Sequence, residues 1–130
     1  MSAASNYLEL KLLDHALGTA EFTAPEGVYL ALFTSDPTDA GTGDEVSALG
    51  TAYARKVITF DAAASGSAAS AATVTFDAAT GDWGTITHIG IYDAATSGNL
   101  LFHGAVTTSK TIESGDTFQV SAGNLTISLD

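Results

Sequence analysis

Thr85-Ile86-Thr87-His88-Ile89-Gly90-Ile91-Tyr92-Asp93 alternates, with Ile86, His88, Gly90 and Tyr92 on one side and Thr87, Ile89 and Ile91 on the other. Side chains two residues apart share a face of an extended chain, so this period belongs to a strand. Ser97-Gly98-Asn99 follows with turn residues, and Leu100-Leu101-Phe102-His103-Gly104-Ala105-Val106 resumes the extended pattern.

Working outward, the same grammar recurs. Val28-Tyr29-Leu30-Ala31-Leu32-Phe33 is apolar on both faces, which predicts a strand covered on each side, and it stops at the turn Thr34-Ser35-Asp36-Pro37. Residues 38–52 are rich in Gly, Asp, Thr and Ala and read as a long loop. Tyr53 to Phe60 reads as a strand, Ala62 to Ala72 as a low-complexity connection or weak edge, and Thr73 to Phe76 as a strand again. Ser114-Gly115-Asp116 and Gly123-Asn124 punctuate the last strands, Thr117–Val120 and Leu125–Leu129. About seven or eight short strands with turns every 8 to 12 residues predict an all-β fold, an antiparallel β-sandwich in a single domain over 1–130.

The exception lies at the start. Ser5 or Asn6 can cap a helix, and Tyr7, Leu8, Leu10, Leu12, Leu13, Ala16 and Leu17 repeat at three- and four-residue spacing. Gly18 stands at the usual left-handed C-terminal position. This predicts one short amphipathic helix over about 6–17, too short to stand alone and therefore packed on the sheets. The expected core comprises Leu10, Leu13 and Leu17 of this helix with Leu30, Leu32, Val57, Val74, Phe76, Ile89, Ile91, Leu101, Phe118, Val120, Leu125 and Ile127.

The 130 residues include 4 Lys+Arg and 15 Asp+Glu, a formal net charge of −11. The sequence pI is about 4.2. Nucleic-acid binding needs a basic face, and an anionic membrane surface would repel this chain, so neither partner is expected. There is no cysteine, hence no disulfide, thiolate metal site or Cys nucleophile. No apolar run approaches the roughly 20 residues of a membrane span, and no signal peptide is expected.

The sequence holds no catalytic motif. His15, His88 and His103 lack the local spacing of a metal clamp and read as structural or surface residues. Asp36, Asp39, Asp44 and Glu45 supply hard oxygen ligands, yet the EF-hand order is missing, so they read as a solvated acidic loop. No nucleophile elbow, phosphate loop or dinucleotide fingerprint occurs, and neither an enzyme nor a cofactor is expected. Arg55 and Lys56 hold half of the positive charge; as neighbours in a strand they point to opposite faces, so one is expected toward solvent and the other toward a sheet face or a carboxylate, in a structural ion pair or, as the alternative, a partner contact. Trp83, between Gly81-Asp82 and Gly84, reads as a plug over one end of the sandwich or as an interface anchor.

Several segments together carry a resemblance. They are Tyr7-Leu8-Glu9, Leu12-Leu13-Asp14-His15, Val28 through Thr38, Gly41-Thr42-Gly43-Asp44-Glu45-Val46, Tyr53-Ala54-Arg55-Lys56, Gly81 through Asp93, Gly115-Asp116-Thr117 and Ala122-Gly123. In this order they resemble a family of small tailed-bacteriophage virion proteins commonly labelled tail fibre proteins, similar in size to some capsid decoration proteins. The resemblance implies a virion structural protein made in the host cytoplasm and placed on the particle's outer surface. Its partners would be other virion proteins, major capsid or tail, or further copies in a homo-oligomer or lattice. With no shaft repeat or heptad in the sequence, the expectation is a head-surface decoration or cement protein; the alternatives are a tail-fibre or tail-tip component, and a carbohydrate-binding module. Candidate partner contacts are Tyr7, Glu9, Lys11, Asp36, Asp39, Asp44, Glu45, Arg55 and Trp83.

Overall fold

The computed structural model describes residues 2–129. Strand β1 (Ser2–Ala4) leads into helix α1 (Asn6–Ala16), followed by β2 (Val28–Phe33), β3 (Lys56–Ile58), β4 (Ser67–Ala69) and β5 (Val74–Thr75). Next come β6 (Gly84–Tyr92), β7 (Leu100–Ile112), β8 (Gln119–Val120) and β9 (Thr126–Ser128). Five strands form one antiparallel sheet in the order β1-β7-β6-β2-β3, while β4 pairs with β9 and β5 with β8. The fold is all-β with one N-terminal helix.

Register explains the layering. Leu30 lies opposite Ile91 and Leu32 opposite Ile89, so these four side chains share one face. They meet Val74, Phe76, Phe118 and Ile127, which come from or beside the two short ladders, in the main core. The opposite face holds a smaller cluster of Ala31, Phe33, Tyr92 and Leu100. Both faces of β2 are therefore covered, as its uninterrupted apolar run demands.

The β6–β7 pairing is interrupted. Ile86 pairs with Lys110 and His88 with Ala105, so residues 106–109 bulge out opposite Thr87 alone. The loop from Thr34 to Val46 turns back on β2: Thr34 N–H donates to Asp44 O at 2.9 Å and Val46 N–H to Leu32 O at 3.0 Å. Gly43 permits this return, because a Cβ there would sit 2.6 Å from Asp36 O and Pro37 Cα.

Four expected core residues are on the surface. Leu10, Leu13 and Leu17 are 64%, 57% and 75% exposed, and Val57 is 58% exposed. Helix α1 docks by its first turn, where Leu8 is buried, with Leu12 half-buried behind it, and Leu10, Leu13 and Leu17 face outward. In β3 only one of two adjacent side chains can point inward, and that residue is Ile58. Val120 and Leu125 are half-buried against the core rather than within it. The strand expected over Tyr53–Phe60 shortens to Lys56–Ile58, since Arg55 is turned to a different task.

Candidate functional site

Arg55 organises one end of the sheet. Its Nε and Nη2 donate to the two carboxylate oxygens of Glu45 at 2.9 and 2.8 Å, a bidentate pair. Its Nη1 donates to the carbonyls of Ala94 at 3.0 Å and Ser97 at 2.7 Å. The guanidinium lies 3.7 Å from the ring centroid of Tyr92, and Tyr92 stacks on Phe33. The Arg55 side chain is 8% exposed. One cation thus ties together the acidic loop, β6 and the β6–β7 turn.

Tyr53 completes the clasp from inside. Its hydroxyl donates to Glu45 Oε2 at 2.6 Å and accepts from Leu32 N–H at 3.0 Å. Burial, reinforced by the hydrogen bond to the Glu45 carboxylate, pushes its ionisation well above the ordinary tyrosine range. Burial also raises Tyr92, though Arg55 opposes it. For Arg55, burial works against its charge, but Glu45 outweighs it and the guanidinium is held more firmly charged than in water.

A second latch holds the same loop. His103, buried on β7, bonds Asp39 Oδ1 through Nε2 at 2.7 Å, and its Nδ1 lies 3.9 Å from Asp36 Oδ1. Asp36 also accepts from Thr38 N–H at 2.8 Å, and Asp44 N–H donates to Ser35 Oγ at 2.8 Å. The carboxylates of the loop are therefore engaged separately: Asp39 with His103, Glu45 with Arg55, Asp44 with the Ser35 hydroxyl at 3.3 Å.

The first turn of α1 closes over this end. The Ser5 hydroxyl donates to Leu100 O while accepting from Leu8 N–H, which caps the helix and ties it to β7 at once. Asn6 N–H donates to Asp39 O at 2.9 Å. The result is a shallow cleft of about 590 Å³ whose wall includes Tyr7, Asp39, Arg55, Tyr92 and Asn99.

Of the candidate contact residues, the cleft gathers Tyr7, Asp39 and Arg55. Glu9 and Lys11 are exposed on the helix, with the Lys11 ammonium 5.8 Å from the Tyr7 ring, and Asp36 and Asp44 are exposed on the loop. Glu45 and Arg55 face each other inside the clasp. Trp83 is a core plug: it is 4% exposed, its Nε1 donates to Thr51 O at 2.8 Å, and it meets Tyr53 edge-on at 5.4 Å. Sequence reasoning missed Tyr53, Tyr92 and His103 as parts of this end, because only the strand order brings 45, 53, 92 and 103 together. It also missed the outward leucines of α1.

The arrangement suits holding rather than reacting. Every polar group of Arg55 points at a protein acceptor, and no buried side-chain nitrogen or oxygen among the described residues lacks a hydrogen bond. No helix among the described residues is long and apolar enough to cross a membrane.

Comparison with known proteins agrees with a particle component. No curated protein matches the chain. A family model described as Podophage GP4 fiber I protein gp80 matches residues 3–128, nearly its whole length. The chain therefore belongs to the podophage GP4 fibre I protein gp80 family of phage virion proteins.

Proposed function

We propose that this protein is a non-enzymatic structural component of a phage tail fibre, held in the virion through contacts with other virion proteins. The family match over residues 3–128 carries this reading. Compactness and acidity alone favoured the head surface, but they fit an outward position on the tail equally well, and the matching family is one of fibres. The docking surface in this proposal is Tyr7, Glu9 and Lys11 of α1, beside its leucine face, together with the loop carboxylates Asp36, Asp39 and Asp44. The Arg55–Glu45 clasp and the His103–Asp39 latch support it by fixing the loop on the sheet. Net charge −11 disfavours any contact with packaged DNA.

Immunogold labelling of intact virions, with copy number from quantitative mass spectrometry, tests this. Label at the tail and a copy number in the tens or fewer are expected. Label spread over the head, with hundreds of copies, would overturn the fibre reading in favour of capsid decoration.

A further inference from the structure

Two apolar features of this chain have no partner among the described residues. The first is convex: Leu10, Leu13 and Leu17 project from α1, each more than half exposed. The second is concave: an open cavity of about 360 Å³ lies between the sheet and the β4–β9 ladder, walled by Phe60, Leu101, Phe102 and Ile127, with almost no polar atom on its surface. We propose that the leucine face of α1 docks into this cavity on a second copy, so that copies join head to tail.

Three observations argue for a second copy as the occupant. An apolar site without a polar group to orient a ligand selects an aliphatic side chain and offers a polar small molecule nothing to bond. The volume is more than twice the roughly 150 Å³ left by a single deleted core side chain, room for more than one leucine. Charge points the same way: none of the residues lining the cavity is charged, although Asp61 follows Phe60 of its wall. An apolar helix face entering it therefore meets no charge on the wall.

The helix and the cavity are different surfaces, so the contact is heterologous, and such contacts propagate into rings or open filaments. Three leucines cover only a few hundred Å², well under the roughly 1,000 Å² of an independent stable interface. A single contact is accordingly weak, and it holds where copies are concentrated or already aligned, as in an assembled fibre. The inference deepens the fibre reading, but it is decided in solution without virions, so either can fail alone.

Sedimentation velocity over a concentration series tests it. The wild-type chain should form species beyond the dimer as concentration and salt rise. Leu13→Glu on the helix should weaken association about tenfold or more, the factor that accompanies loss of a buried leucine contact. Ala63→Trp and Leu129→Asp, both at exposed positions lining the cavity, should do the same separately, with unchanged circular dichroism showing that each is folded. The decisive arm mixes Leu13→Glu with Ala63→Trp: one intact helix meets one intact cavity, giving a dimer that cannot grow. A wild-type chain monomeric at every concentration would overturn the proposal. So would cavity variants that associate like wild type, which would mean helix-to-helix contact, or a mixture that forms no dimer.

Discussion

Arg55 has two carboxylate oxygens, two backbone carbonyls and an aromatic face around one guanidinium. Removing it leaves Glu45 in place with its bidentate partner gone. Arg55→Ala should lower stability by about 3 kcal/mol, read by urea unfolding, and Arg55→Lys should recover little because an ammonium cannot make the fork. Tyr53 gives the same end of the molecule a pH dependence. The unfolded chain releases its tyrosine protons near 10.0, whereas the folded chain keeps the Tyr53 proton to a higher pH. The folded state then binds more protons than the unfolded one, so stability is intact below pH 10 and falls as pH rises above it. The slope from one such proton is about 1.4 kcal/mol per pH unit, and Tyr53→Phe should flatten the alkaline decline by that amount. An ion pair at Arg55 or Lys56 was legible because strand neighbours point to opposite faces and a basic side chain turned inward needs a partner. The partner of Arg55 was not, since Glu45 is ten residues away along a loop whose path no local pattern specifies.

At the scale of elements, the ends of α1 were readable and its burial was not. A capping serine and a left-handed glycine act locally, and the helix runs from Asn6 to Ala16 between Ser5 and Gly18 as those signals require. A leucine stripe says which face is apolar but not what covers it. Ser5→Ala should cost about 1 kcal/mol for the cap and release the tie to Leu100 O as well. Amide exchange should quicken across 6–16 while β6 and β2 keep their protection; equal loss of protection in β6 would show that the helix is integral to the sheet instead. Strand β1 had no signature, and β4 only the weak-edge alternative offered for residues 62–72. Ser2–Ala4 and Ser67–Ala69 contain no β-branched or aromatic residue, and they are extended because β7 and β9 offer them unpaired edges. The strands with the clearest apolar patterns, β2 as a continuous run and β6 as an alternation, emerged within a residue of their expected bounds.

For the whole molecule, strand order converts a string of local hairpin signals into two unlike surfaces. One end is polar, clasped and acidic, while the cavity beside β4 and β9 is lined without a charged residue. Composition foretold the overall sign of the charge but not this separation, which depends on which loops the sheet brings together. Of the four cations, Arg55 is enclosed, Lys56 lies on β3 and bonds Asp77 at 3.1 Å, and Lys110 lies on β7.

That leaves Lys11, on the projecting helix, as the one basic residue outside the sheet region. Trypsin cuts after Lys and Arg and must thread an extended segment through its cleft, so three of its four cutting sites are withheld by the fold. Brief digestion of the native protein should give a first clip after Lys11 and leave residues 12–130 as one resistant fragment on mass spectrometry. A first cut at Arg55 would mean that the clasp opens readily. A particle built from this chain would meet a protease of trypsin's specificity with its N-terminal helix as the first point of attack.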